Sequence, residues 1–200
     1  MILRCKPVGG WATNAYALEC DETGQSVLID PGAEPQTLTT LLGDSTPVAI
    51  LVTHNHPDHV GALEAMRRRL NAPVMAPALS GIAADRLLNA HDRIEVGNHA
   101  LHVYPTPGHT KDQVSYGVEK TPIYIVGDTI FEGGPGKTWS SEDFRTTLAT
   151  LRNVVLAWPD DAVCHPGHGP SFQVGRLRPA IERFLAKDHG RFFGDAEWEM

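Results

Sequence analysis

The sequence is poor in cysteine, in long apolar runs and in positive charge. Its 200 residues include only Cys5, Cys20 and Cys164, with no CxxC pair. Three widely spaced thiols do not form a disulfide framework or a thiolate zinc site, so we expect a cytoplasmic protein. No apolar run approaches the roughly 20 residues of a membrane-spanning helix, and no apolar signal core opens the chain, so we expect no membrane partner.

The charge balance is acidic. Lysine and arginine number 17 against 24 aspartates and glutamates, a net charge of −7. A field of this sign repels polyanions, so we expect no nucleic-acid partner. Glycine and proline are dispersed rather than gathered in a linker, which predicts a single domain over residues 1–200 with a closing helix and tail from about residue 175. No feature of the sequence indicates an oligomeric state.

The pattern of apolar residues predicts a chain that alternates strands and helices after an initial meander of three strands. Short β-rich runs come first, and helical spacing of apolar residues appears later. The predicted strands are 2–5, 15–20, 26–29, 48–52, 73–75, 93–96, 101–104, 123–126 and 162–164, and the predicted helices are 35–42, 61–70, 78–88, 142–156 and 177–186.

Histidines and aspartates recur just after the ends of the predicted strands. The stretch "THNHPDHVG" (53–61) holds three histidines and an aspartate within six residues. Strand ends that converge on one edge of a layered fold are where sites are built, because the strands fix the backbone and the loops leave side chains free. We therefore expect one shared site, formed by His54, His56, Asp58, His59, His109, Asp128 and His168.

This set of residue types indicates a metal. Imidazole and carboxylate without thiolate suit Zn²⁺, Fe or Mn²⁺. Taken singly, each histidine is also consistent with an exposed loop, and Asp58 with a helix cap. Taken together, crowded imidazoles repel one another when protonated and need partners when buried, and a metal would satisfy them all.

The motifs resemble those of the metallo-β-lactamase superfamily. "THNHPDHVG" is similar to the family's HxHxDH signature, and "TPGHT", "VGDT" and "PGHG" follow in the family's order, with "LIDPG" similar to its first motif. The resemblance runs from about residue 15 to residue 170. It implies a four-layer αββα sandwich, in which two mixed β-sheets are flanked by helices, with a binuclear metal site at one edge of the sheets.

The resemblance also implies a role for each motif residue. The implied ligands are His54, His56 and His109 for the first metal and Asp58, His59 and His168 for the second, with Asp128 bridging. Two divalent ions are expected, zinc first, with iron or manganese as alternatives. A metal-bridged hydroxide would be the nucleophile, and Asp58 would orient it and move its proton. Asp30 would orient a ligand or its loop from behind.

The segment "GDTIFEGGPGKT" (127–138) is similar to the glyoxalase II-like branch, the hydroxyacylglutathione hydrolases. In that branch the basic residue of this loop contacts the glutathione moiety, and Lys137 matches it, although a lysine here is equally consistent with a solvated charge. The similarity predicts a small-molecule thioester or related acyl substrate. Only about thirty residues follow "PGHG", where that branch has a helical region that completes the glutathione site.

Other functions share the same motifs. A persulfide dioxygenase of this superfamily uses a single iron, for which the implied ligands are His54, His109 and Asp128, a 2-His-1-carboxylate set. Lactone hydrolysis uses the same machinery as thioester hydrolysis. Bound metal and oxygen consumption discriminate between the hydrolase and the dioxygenase. Among the tryptophans, Trp139 beside the glycine-rich loop is the first candidate to line a pocket.

Overall fold

The computed structural model describes residues 1–200, and its centre is a pair of six-stranded β-sheets. The first sheet has the spatial order β1-β2-β3-β4-β5-β6, antiparallel as far as β3 and parallel beyond it. Its strands are β1 (Ile2–Val8), β2 (Thr13–Glu19), β3 (Gln25–Ile29), β4 (Thr46–Leu51), β5 (Val74–Pro77) and β6 (Arg86–Leu88).

The second sheet takes up the rest of the strands. Its order is β12-β11-β10-β9-β8-β7, antiparallel except for the parallel pair of β10 with β11. Its strands are β7 (Arg93–Val96), β8 (His99–Pro105), β9 (Val114–Val118), β10 (Ile123–Gly127), β11 (Val163–Pro166) and β12 (Phe172–Gln173). Each sheet is thus built from one continuous half of the chain.

Helices cover the outer face of each sheet. The helices are α1 (Pro35–Leu42), α2 (Pro57–Val60), α3 (Leu63–Leu70), α4 (Ser141–Asn153) and α5 (Val174–Leu185), with a 3₁₀ turn at Val155–Ala157. The Ser140 hydroxyl accepts a hydrogen bond from the Asp143 amide and caps α4. The predicted αββα sandwich is confirmed. None of these helices has the length and apolar character needed to cross a membrane.

Alternation along the strands explains why both faces of the first sheet are apolar. In β4, Ala49 and Leu51 point into the core between the two sheets, whereas Ile50 and the following Val52 pack under the helices. Successive side chains of a strand face opposite ways, so a strand that is covered on both faces reads as a continuous apolar run. This packing leaves the ends of the strands, not their faces, to carry polar groups.

The predicted helix at 78–88 is wrong. Residues 86–88 form β6, which pairs in parallel with β5, and Gly81 turns the chain before it with a φ of +70°. Leu79 is 77% exposed and Leu87 50% exposed, so these apolar side chains are not buried as the inner face of a helix would be. The Asp85 carboxylate accepts a hydrogen bond from the Val74 amide and pairs with Arg67, which fixes this edge as a strand.

Other elements also differ from the sequence predictions, among them the short strand β12, which was not predicted. Strand β9 was not predicted either. It contains Gly117, where a larger residue would not fit because a Cβ there would lie 2.8 Å from the ring of Tyr124. The predicted helix at 61–70 begins earlier and is interrupted, so that α2 precedes α3. The short α2 starts at Pro57, which suits a first helical turn because proline lacks the amide hydrogen that is unpaired there.

Candidate metal centre

The structure brings the seven predicted histidines and aspartates together at one edge of the sandwich. His54 and His56 follow β4, and Asp58 and His59 lie on α2. The other three come from the second sheet: His109 from the loop between β8 and β9, Asp128 directly after β10, and His168 after β11. The structure thus shows that the seven residues converge, whereas their role as metal ligands stays a prediction.

The cluster contains two separate groups of three residues, and a further group, His54, His59 and Asp128, joins them. The ligand atoms within each group lie within 4.8 Å of one another. His54, His56 and His109 form one group, in which His109 Nε2 is 3.0 Å from His56 Nδ1. The other group consists of Asp58, His59 and His168, with His168 Nε2 3.2 Å from Asp58 Oδ2. These are the same two sets that the resemblance implies for two metals.

Asp128 lies between the two groups. Its carboxylate oxygens are 3.4 Å from His59 Nε2 and 3.5 Å from His109 Nε2. Gly167 makes room for this carboxylate, because a Cβ at that position would lie 2.0 Å from Asp128 Oδ1. One carboxylate therefore faces both groups, which is the arrangement that a bridging ligand needs.

Three of the imidazoles are oriented by hydrogen bonds on the side away from the cluster. In each, Nδ1 bonds to an acceptor outside and Nε2 points inward. These bonds join His59 to the Asp30 carboxylate (2.9 Å), His109 to the Lys137 carbonyl (2.7 Å) and His168 to the Trp11 carbonyl (3.1 Å). Because Nδ1 holds the hydrogen, the inward Nε2 of a neutral ring keeps a free lone pair, the form that binds a metal.

Asp30 orients His54 as well, through Thr53. The Asp30 carboxylate accepts hydrogen bonds from the Thr53 amide and hydroxyl, both at 2.7 Å. The Thr53 oxygen lies 3.0 Å from His54 Nδ1 and, having given its own hydrogen to Asp30, accepts from that ring. Asp30 is fully buried behind the cluster at a φ of +53°, a position that agrees with the supporting role predicted for it.

Buried polar atoms without partners mark the centre of the cluster. His54 Nε2, His59 Nε2 and Asp128 Oδ1 are all buried, and none makes a hydrogen bond. Each unpaired buried polar atom destabilises a fold by about 1–3 kcal/mol. Inward-facing imidazole and carboxylate lone pairs are the donors that Zn²⁺, Mn²⁺ and iron prefer, so the residues fit a divalent metal.

The pKa values within the cluster are set by burial and by the two carboxylates. Burial, followed by the charge of His59, holds the pKa of His54 well below its usual range. Burial also opposes protonation of His59, but the carboxylates of Asp30 and Asp128 outweigh it and raise the pKa of His59 to about 10. Burial would raise the pKa of Asp128, yet its contacts with His59 leave it lowered. A cation at this position, proton or metal, is therefore favoured.

One contact of the site was not foreseen from the sequence. Thr13, buried at the start of β2, donates its hydroxyl hydrogen to Asp58 Oδ2 at 2.8 Å. Nearby, the Tyr16 hydroxyl and the Asn14 amide bond to the Pro166 carbonyl and hold the loop that carries His168. No motif surrounds Thr13, and it reaches the cluster because β2 pairs with β3 and the Asn14 amide donates to the Gly167 carbonyl.

A cavity of about 950 Å³ opens above the cluster. His56, Asp58, His109, Asp128 and His168 face into it. Its walls include Lys137 of the glycine-rich loop and Trp139 beside that loop, both identified from the sequence, and Trp11 and Trp198 line it too. The ammonium group of Lys137 is 2.8 Å from Asp195 Oδ2.

Comparison with known proteins identifies the family to which the chain belongs. The sequence profile of the metallo-β-lactamase superfamily matches residues 8–168. The chain is 33% identical to the probable metallo-hydrolase YqgX of Bacillus subtilis, over 86% of this chain and 92% of that protein. It is also 33% identical to the hydroxyacylglutathione hydrolase of Chromohalobacter salexigens, over 84% of this chain and 66% of the relative, so it spans less than two thirds of that enzyme.

A solved structure resembles the whole sandwich. The crystal structure of ETHE1 from Myxococcus xanthus superimposes with a TM-score of 0.81 at 28% identity, and the match covers 94% of this chain and 86% of that one. The predicted family is confirmed by these matches. The family match, over residues 8–168, includes all seven clustered residues.

Proposed function

The chain belongs to the metallo-β-lactamase superfamily, and we propose that it is a binuclear metallohydrolase that cleaves a thioester or related acyl compound. Members of this superfamily bind divalent metals through a His/Asp cluster. The observation that carries the proposal is the set of inward-facing, unpartnered donor atoms in the cluster beneath the cavity. The identity to a hydroxyacylglutathione hydrolase supports a thioester as the substrate class.

Each group of the cluster would hold one ion. His54, His56 and His109 would bind the first and Asp58, His59 and His168 the second, with Asp128 shared between them. Zinc is the first choice, since four-coordinate imidazole and carboxylate sites are typical of it, while iron and manganese accept the same donors. Divalent ions held there would lower the pKa of water so that hydroxide is available near neutral pH, and they would polarise the acyl carbonyl.

The protein's own groups would position the water and receive its proton. Asp58 is partly exposed to the cavity, and its Oδ2 is fixed by the Thr13 hydroxyl, so this carboxylate is placed to orient the attacking water and accept its proton. The water oxygen forms a bond to the acyl carbon and the C–S bond breaks, which yields a carboxylate and a thiolate. A thiolate is a stable leaving group, so no separate general acid is needed.

Elemental analysis and a thioester assay on the same sample test this proposal. Protein purified without added metal is expected to contain about two zinc, manganese or iron ions per chain and to hydrolyse thioesters, with loss of activity on chelation and recovery on adding the metal back. Metal-loaded protein with two ions per chain that cleaves no thioester, lactone or ester would contradict the hydrolase function. The metal stoichiometry separately tests the binuclear assignment.

A second candidate function is a persulfide dioxygenase, which the similarity to ETHE1 favours. In that reaction one iron would be held by His54, His109 and Asp128, a 2-His-1-carboxylate set. The expected signs are a single iron per chain, no thioester hydrolysis and oxygen consumption with glutathione persulfide. An oxygen electrode therefore separates the two functions on one preparation.

A further inference from the structure

One wall of the cavity is built by part of the C-terminal tail, which we define as residues 187–200. The tail follows α5 and contains no helix or strand. It runs back along the glycine-rich loop, so that residues 195–199 line the cavity together with residues 131–135. A segment without regular structure thus forms one side of the space that a substrate would fill.

Backbone hydrogen bonds fix this wall in place. The Trp198 amide donates to the Gly133 carbonyl, and the Trp198 indole donates to the Glu132 carbonyl at 2.9 Å. The Thr138 amide donates to the Gly194 carbonyl at 3.0 Å. The loop fits the tail closely, because a Cβ on Gly134 would lie 2.0 Å from the Ala196 carbonyl oxygen. The tail is therefore a packed part of the cavity and not a loose end.

The wall gives the cavity mouth a negative charge. Outside the cluster, the charged residues that line the cavity are one lysine, Lys137, and four acids, Glu132, Asp195, Glu197 and Glu199. Asp195 Oδ2 lies 2.8 Å from the Lys137 ammonium group, so the single cation is paired with a residue of the tail. The remaining lining is largely apolar, with the rings of Trp11, Phe131 and Trp139 around the mouth.

We propose that the tail makes this cavity select thioesters whose thiol part carries no net negative charge, and that Asp195 is a specificity-determining residue that withholds Lys137 from anionic thiols. The proposal rests on the thioester hydrolase function proposed above. An anionic thiol such as glutathione would have to displace Asp195 from Lys137 and approach three further carboxylates, whereas a neutral or cationic thiol meets no such opposition.

Three acetyl thioesters that differ in the charge of the thiol part test this selection. S-acetylglutathione is anionic, S-acetyl-N-acetylcysteamine is neutral and acetylthiocholine is cationic, and release of the thiol measures hydrolysis of each. For the metal-loaded protein we expect kcat/KM to be lowest for S-acetylglutathione. Asp195→Asn should raise kcat/KM for S-acetylglutathione on the order of fivefold, the size expected for an exposed charge pair, and leave the neutral thioester unchanged.

Two further variants make the test specific to the charge pair. Lys137→Gln alone should lower kcat/KM for the glutathione thioester, because it leaves the Asp195 carboxylate unpaired at the mouth, whereas Lys137→Gln combined with Asp195→Asn should show no gain over the unmodified protein. Asp44→Asn is the matched control: it removes the same charge from an exposed residue at the opposite end of β4, and it should leave all three rates unchanged.

The outcomes separate this proposal from the hydrolase function. Preference of the unmodified protein for S-acetylglutathione, or an equal effect of Asp195→Asn on all three thioesters, would overturn the charge selection while the hydrolase function stands. Failure of the metal-loaded protein to cleave any thioester would contradict the proposed thioester hydrolase activity instead. In that case, calorimetric binding of the inert S-methylglutathione still tests Asp195, since Asp195→Asn should tighten it and unchanged binding would overturn the proposal.

Discussion

The cavity has a floor, formed by the seven clustered residues, and a mouth, formed by Lys137 and the C-terminal tail. The two are held in place by different kinds of contact. At the floor, the side chains are buried or partly buried, and the imidazoles of His59, His109 and His168 are oriented by hydrogen bonds to the buried Asp30 carboxylate or to backbone carbonyls. At the mouth, Asp195 is 77% exposed and Lys137 42% exposed, and a single ion pair joins them. An exposed pair contributes little to stability, whereas a buried network is rigid, so substitutions at the mouth can alter substrate choice without disturbing the floor.

Asp128→Ala should produce the largest effect, because this carboxylate faces both groups of the cluster. We expect metal content to fall and turnover to decrease by more than about a hundredfold, beyond the range found for residues that only support a ligand. Elemental analysis and the thioester assay measure the two effects. The exposed Asp44→Ala serves as the control, and full activity of Asp128→Ala would contradict the bridging role.

Asp30→Asn should weaken the floor without removing a predicted ligand. The asparagine tolerates the positive φ of this position, but it cannot accept all three hydrogen bonds from Thr53 and His59. Metal affinity should fall by roughly 10- to 100-fold, as for other residues behind metal ligands. Competition with a chromophoric chelator measures the affinity, with Asp44→Asn as the control. Unchanged affinity would show that Asp30 serves the fold alone.

Thr13→Val keeps the shape of the side chain and removes only the hydrogen bond to Asp58. One such bond contributes about 1 kcal/mol, so kcat should fall about fivefold while KM stays the same. Thr13→Ser retains the hydroxyl and should retain the rate. A Thr13→Val protein with unaltered kcat would mean that Asp58 needs no support from β2.

Trp198→Phe should have the smallest effect and confine it to the mouth. The change removes the indole hydrogen bond to Glu132 but keeps a ring against Phe184. We expect the melting temperature to fall by about 2–4 °C and the metal content to be unaffected. Trp139→Phe is the control, since that ring is 59% exposed and its replacement should leave the melting temperature unchanged. Loss of metal from Trp198→Phe would contradict the conclusion that the mouth can change without affecting the floor.

The floor could be predicted from the sequence because its chemistry is concentrated in short motifs at strand ends. His54, His56, Asp58 and His59 lie within six residues, and His109, Asp128 and His168 each stand next to glycine. The apolar runs before them have strand lengths, so their polar ends are expected to meet. Asp30 was found for the same reason, since it follows β3 directly.

The mouth could not be predicted, because its contacts join distant residues that show no pattern. Asp195 meets Lys137 across 58 positions of sequence, and Trp198 bonds to Glu132 across 66. The tail has neither helical nor strand periodicity, and such segments are positioned only by tertiary contacts. The wrong helix at 78–88 has a similar origin, since pairing with β5 decided the structure of its last residues against their local preference.

The division of the sandwich into two consecutive halves has a consequence for how the molecule can be assembled. Residues 2–88 form one sheet and residues 93–173 the other, with the turn at 89–92 between them. The first half carries four of the seven clustered residues and the second half carries three. A chain cut within that turn would leave two fragments, each with an incomplete set of donors. Association of the two fragments would then be coupled to metal binding, because a bound ion would be coordinated by residues of both polypeptides.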